Sequence, residues 1–301
     1  MKAKAVNNIS LAKSVQLKLA DYSMLAKARL NFFVVFSAAV GYILAAGPAL
    51  NFFNLLIVAI GGFLVTASSN TINQVLEKDF DAIMERTKNR PLPAKRMQTS
   101  EAILFAGITA IGGLFLMWYY LNGMAAFFAA LSLIAYAFVY TPLKRISPIA
   151  VFVGAIPGAL PPMIGWLAFS PQMTIEPILL FGIQFLWQFP HFWAIGWVGY
   201  EDYKKAGYNL LPSNGGRNKL TAMQCIIYIA VLFPLIMLGT WFGIGYRITY
   251  LMSIVAGLIF IIPAFKLYKN CDRKSALKLM FASFIYLPLI QISLLIDRFW
   301  I

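Results

Sequence analysis

Nine runs of mostly apolar residues, each near the roughly 20 that an α-helix needs to cross a hydrocarbon layer, follow one another along the 301-residue chain. They fall near 27–46, 52–76, 101–119, 123–141, 148–169, 175–199, 219–241, 247–267 and 277–296. A hydrophobic share of 60% with only 12% charged residues, and a mean hydropathy of +0.74, lie far outside the soluble globular range. The expected fold is an all-α integral membrane protein with nine transmembrane helices.

The charges test that count. A net charge of +14 would point to nucleic acid in a soluble protein. Here the cations sit between membrane-length runs, so the partner is the lipid bilayer and no nucleic acid is expected. With the N-terminus cytoplasmic, 23 of the 25 Lys and Arg residues gather on the cytoplasmic side, and only Arg247 and Arg298 are left outside. An eight- or ten-helix count disturbs this alternation. The C-terminus is then external, with Trp300 as an interfacial anchor. Residues 1–25 carry Lys2, Lys4, Lys13 and Lys18 without an apolar run that ends in a small-residue cleavage site. The first span therefore serves as its own insertion signal into a plasma (inner) membrane. The organisation is a cytoplasmic segment over 1–26 and one membrane domain over 27–301. Cys225, inside a span, and Cys271, in a charged loop, are not expected to form a disulfide or a thiolate metal site.

The chemistry concentrates in residues 70–96, NTINQVLEKDFDAIMERTKNRPLPAKR, which hold 4 of the 11 acidic residues and 6 of the 25 basic ones. Asn73, Glu77 and Asp81 are spaced i, i+4, i+8, so on a helix they drift by only about 80° and share a face. Asp79 falls on a different face. Stacked oxygen ligands repel one another unless a cation lies between them, and Mg²⁺ suits such a set because it takes one or two carboxylates and completes its shell with water and phosphate oxygens. Arg86, Lys88, Arg90, Lys95 and Arg96 follow, with Pro91 and Pro93 expected to end the helix and fold the basic segment back. Together these residues make a receptor for a diphosphate; the competing reading is a solvated loop whose charges pair with one another.

The other long loop, 200–218, lies on the same side in this topology. The span before it holds the chain's only histidine, His191, in a cluster with Gln188 and Pro190. An ionisable group at membrane depth points to a cavity, although a neutral histidine bonded to a neighbouring helix fits the same pattern. Glu201 and Asp202, beside Lys204 and Lys205, suit either a second metal cluster facing the first or an ordinary charged helix end. Span five carries Gly154, Pro157, Gly158, Pro161, Pro162 and Gly165, so its prolines free carbonyls that need other partners, as in a kink lining a cavity. Just before it, Tyr140, Lys144 and Arg145 stand where cations could neutralise a leaving phosphate; the topology rule alone would also put the two charges there. An internal duplication is only weakly suggested, and no Walker-type or Rossmann glycine pattern occurs in a plausible context.

The stretch from Asn73 to Pro93, read as N-Q-x-x-E-x-D-x-D-x-x-M-x-R-T-x-x-R-P-L-P, resembles the first signature of the intramembrane (UbiA-type) prenyltransferase superfamily. Glu77, where Asp is common, is similar to the heme-modifying branch. WQFPHFWA with YEDYKKAGYNLLP resembles that branch's second signature, GAIPGALPPMIGW its fifth span, and DYSMLAKARL the start of span one, with Ala28 in place of the usual Pro. Val198 stands where many members carry an Asp, which puts a second metal site of their kind in doubt. The resemblance covers residues 21 to about 218 and implies nine helices around a central cavity.

The resemblance further implies transfer of farnesyl from farnesyl diphosphate to a vinyl group of heme b (protoheme IX), with water completing the product, heme O. Asn73, Glu77, Asp81 and Asp202 would hold Mg²⁺. Arg29, Arg86, Arg90, Lys144, Lys205 and Gln188 would bind substrate, and His191 would orient water or contact the macrocycle. A heme A synthase or terminal oxidase assembly is the implied protein partner. An aromatic prenyltransferase acting on a quinone precursor shares the diphosphate site but gives no reason for His191 and Gln188. A polytopic transporter fits the hydropathy, yet would more naturally place its acids near the bilayer midplane.

Overall fold

The structure, a computed structural model, describes residues 11–213 and 216–300. Lys2 and Lys4, in the first part of the expected N-terminal segment, lie outside the described residues. The rest of that segment is α1 (Leu11–Leu25), a largely exposed helix. Nine helices among the described residues are long and apolar enough to cross a membrane. They are α2 (Ala28–Ala46), α3 (Phe52–Asp81), α4 (Thr99–Tyr120), α5 (Gly123–Ile134) with its continuation, α7 (Ala150–Phe169), α8 (Ile175–Val198), α10 (Lys219–Trp241), α11 (Arg247–Asn270) and α12 (Arg273–Trp300). Helix α5 runs on through a π-turn, Ala135–Tyr140, into α6 (Thr141–Leu143), and α9 (Tyr200–Lys205) is a short helix beyond α8.

The sequence-based spans agree with these to within a few residues, with one instructive exception. Helix α3 does not stop at residue 76 but carries on to Asp81, keeping the acidic positions helical. Its end also differs from expectation, because it comes well before Pro91. The Thr87 hydroxyl takes the freed carbonyl of Asp81 at 2.9 Å, and Met84 tucks into a cluster with Ala206 and Tyr208. The prolines instead shape the return, with Pro91 and Leu92 buried.

The helices form two packed groups. One core joins α2, α3, α4, α5 and α7; the other joins α8, α10, α11 and α12 with one face of α7 and α2. Helix α7 serves both and is the most enclosed span. It crosses α2 at backbone contact, since a side chain at Gly41 would collide with the Pro162 carbonyl and one at Gly165 with the Ala38 carbonyl. The prolines of α7 have the consequence their chemistry demands. Pro161 and Pro162 cannot donate to the carbonyls of Pro157 and Gly158, and these accept instead from Ser132 Oγ (3.2 Å) and Gln184 Nε2 (2.8 Å). Between the two groups lies a cavity of about 330 Å³.

Candidate functional site

Asn73, Glu77 and Asp81 share one buried face at the end of α3, exposed by 1%, 6% and 1%, while Asp79 is exposed on another face. Each has a partner brought by a different element. Asn73 Nδ2 donates to Thr141 Oγ1 (3.0 Å), itself bonded to the Tyr136 carbonyl (2.9 Å) across the π-turn, an irregularity that recurs at functional sites. The Lys144 ammonium lies 2.5 Å from Glu77 Oε1, off the axis of a directed hydrogen bond. Arg90 Nη1 donates to Asp81 Oδ2 at 2.6 Å. Asp81 Oδ1 is buried with no hydrogen-bond partner in the described residues, and no directed hydrogen bond reaches Glu77 Oε1. Carboxylate oxygens left in this state, one and two turns along the helix from an amide oxygen, fit a hard divalent cation. No three His, Cys, Asp or Glu among the described residues converge as a metal site, so Asn73 and non-protein oxygens would have to complete the shell.

A lysine that sequence reasoning missed completes this cluster. Asn70 and Gln74, on α3, hold the carbonyls at the end of α1, through Ala26 (3.3 Å) and Leu25 (2.8 Å). The chain then turns at Lys27 in the left-handed region (φ 48°), and Lys27 Nζ reaches Asn73 Oδ1 at 3.4 Å. Burial, and then the positive charges of Arg90 and Lys144, pull its pKa down to about 7. Tyr208 was missed as well. Its ring lies beneath the Lys144 ammonium (5.7 Å), which also stands 4.7 Å over Tyr140. Burial, followed by the charges of Glu77 and Asp81, raises the Tyr208 pKa and keeps the phenol protonated. The only signal for Lys27 in the sequence is its place in the DYSMLAKARL stretch, and for Tyr208 its place in the second signature.

The second acidic pair behaves differently. Glu201 is exposed and paired with Arg217. Asp202 accepts from the Arg86 backbone N–H at 3.3 Å and lies 4.0 Å from Lys205, whose side chain is exposed. Arg86 in turn donates to Tyr203 Oη (3.2 Å). The Asp202 carboxylate fastens α9 to the 82–98 segment, and no hydrogen bond or ion pair links it to Asn73, Glu77 or Asp81 among the described residues. The two long loops do meet at one end of the bundle. Val198 closes α8, and Arg29 is exposed on the first turn of α2 with no ion pair among the described residues.

Beneath the charged rim the cavity is apolar, walled by α2, α3, the π-turn, α7, α8 and α12. Asn70 and Tyr140 line its rim end, and its lining also includes Leu30, Phe33 and Phe284, which are exposed on the outside of the bundle. The cavity therefore reaches the lipid-facing surface between α2 and α12. Gln188 and His191 are both buried in its wall. Gln188 donates to the Ala155 carbonyl (2.9 Å) and packs against Gly158, where any side chain would collide with its amide. His191 Nδ1 is 2.7 Å from Ser283 Oγ, and its ring stacks on Trp187 (4.6 Å between centroids). The histidine is both bonded to a neighbouring helix and set against a cavity.

Residues 34–287 match the model of the UbiA prenyltransferase family. A protein named protoheme IX farnesyltransferase from Cytophaga hutchinsonii is 45% identical over 279 residues, covering 93% of this chain and 98% of the relative. Among solved structures, a digeranylgeranylglyceryl phosphate synthase superposes with a TM-score of 0.78 at 20% identity, covering 94% of this chain and 99% of the other. A UbiA homologue from Archaeoglobus fulgidus, solved bound to DMAPP and Mg²⁺, gives 0.65 at 16% identity, covering 91% and 99%.

Proposed function

The chain belongs to the UbiA prenyltransferase family, and from that premise we propose that it transfers the farnesyl group of farnesyl diphosphate to a vinyl carbon of protoheme IX. The observation that carries the site reading is the buried face of Asn73, Glu77 and Asp81, with unshared carboxylate oxygens at the rim of an apolar cavity. These three residues would hold Mg²⁺, which when bound would draw charge from the diphosphate oxygens and assist cleavage of the C1–O bond. The rim carrying them is the cytoplasmic one in this reading, in a plasma membrane, because nearly all cations gather there.

Lys144, Arg90 and Lys27 are already aimed at this face. In the substrate-free protein the first two neutralise Glu77 and Asp81, and on binding they turn to the phosphate oxygens, where negative charge builds as the bond breaks. Diphosphate leaves toward the rim. The allylic cation is left in the apolar cavity against Tyr136 and Tyr140, with bulk water held off until the vinyl carbon attacks. Water then adds to the resulting cation and loses a proton, so that farnesyl diphosphate, protoheme and water give heme O and diphosphate. Asp202 ties α9 to the 82–98 segment at this rim through the Arg86 backbone N–H.

The test is incubation of purified protein with heme b, farnesyl diphosphate and Mg²⁺, followed by mass analysis of the porphyrin. A product heavier by one farnesyl group and one hydroxyl group supports the reading; unchanged heme with an active, diphosphate-releasing protein would sink it.

A further inference from the structure

The side of the cavity away from the phosphate face holds an imidazole whose hydrogen bonding is over-determined. Ser283, on α12, has one hydroxyl proton and directs it to the Met280 carbonyl at 2.5 Å. Its oxygen can then only accept from His191, so the proton of the neutral imidazole sits on Nδ1, 2.7 Å away. The lone pair is left on Nε2. The same serine also fixes the ring plane, because its carbonyl accepts Trp187 Nε1–H at 2.9 Å and the Trp187 indole lies stacked on the imidazole. Phe284 meets the ring in a T-shaped contact at 5.0 Å between centroids. No described protein group hydrogen-bonds Nε2, and His191 lines the cavity beside Phe192 and Phe284, close to where it reaches the lipid-facing surface.

A bare, rigidly oriented imidazole nitrogen in an apolar cleft is a metal ligand in waiting, and a second group that holds the far N–H of a ligating histidine is the usual support for one. We infer that His191 Nε2 ligates the iron of the porphyrin substrate, and that Ser283 is the positioning residue that sets its tautomer and its plane. This rests on the heme reading above and deepens it. A planar macrocycle entering from the bilayer would meet the imidazole near the mouth, with its edge toward the cavity and the farnesyl cation.

The test compares heme b with metal-free protoporphyrin IX, each titrated into the full-length protein in detergent, with a single size-exclusion peak and an unchanged thermal unfolding midpoint as the check that every variant is folded. In the wild type the ferric heme spectrum shows imidazole ligation. His191→Ala weakens heme binding by at least about tenfold while protoporphyrin binding stays within about twofold, and added imidazole restores the ligated spectrum. Ser283→Ala keeps the ligand but lowers heme affinity by about tenfold and shifts the iron–nitrogen stretch of ferrous heme, and Ser283→Thr reverses both. Equal losses for heme and protoporphyrin in His191→Ala would overturn the inference, as would a heme spectrum indifferent to His191 or an iron–nitrogen stretch indifferent to Ser283. If the wild type still farnesylates heme in those cases, only the ligation falls; if it makes no farnesylated heme at all, the underlying reading falls first.

Discussion

Two long spans, α3 and α8, each run into a polar loop at the same end of the bundle and each bring acids there, yet they use them in opposite ways. On α3 the acids are spaced by whole turns and face inward, so Glu77 and Asp81 are buried and each is met by a cation. Beyond α8 the acids are adjacent in sequence, Glu201 exposed and Asp202 half-buried against the 82–98 segment. Glu201 holds Arg217, and Asp202 ties α9 to the 82–98 segment. What α8 contributes inward is neutral and deeper: Gln188 and His191. The bundle thus separates charge handling at its rim from neutral recognition at depth, which suits a substrate with a doubly phosphorylated head and an apolar tail. A carboxylate in the lower cavity would instead quench an allylic cation or bind water there.

That contrast can be broken most directly at α3. Asp81→Ala should cut diphosphate release from farnesyl diphosphate by about a thousandfold, while Asp79→Ala, on the other face, stays near wild type. Equal losses would show that sharing a face is not what matters. Next comes Lys27, placed by the fold beside Asn73: Lys27→Met should raise the KM for farnesyl diphosphate by about tenfold in steady-state assays, the effect of one lost charge-assisted contact. Asp202→Ala sharpens the comparison from the α8 side. If Asp202 is a tether, activity falls by about fivefold and proteolysis within 82–98 speeds up; a loss as large as that of Asp81→Ala would make it a metal ligand. Smallest of all, Lys18→Ala removes the exposed pair between α1 and Glu101, and should leave diphosphate release unchanged, since such pairs contribute about 0–1 kcal/mol.

Much of the rim is legible in the sequence. The i, i+4, i+8 spacing alone places Asn73, Glu77 and Asp81 together and Asp79 apart, and the prolines of span five announce carbonyls that need side-chain donors. The end of α3 is not legible in the same way, because Pro91 is a strong breaker by its chemistry whereas Thr87 and Met84 stop the helix earlier through contacts local to the folded loop. Asp202 is opaque for a related reason: nothing in YEDYKK says which side of a short helix will face α3.

Hydropathy and helical periodicity are local properties, set by neighbours within a few turns, and so the sequence by itself determined the spans, their all-helical character and the common face of the α3 ligands. Pairings between residues far apart in the chain depend on how helices cross. Lys144 on Glu77, Lys27 beside Asn73, and Ser283 holding His191 across 92 positions were decided only when the tertiary structure brought those faces into contact.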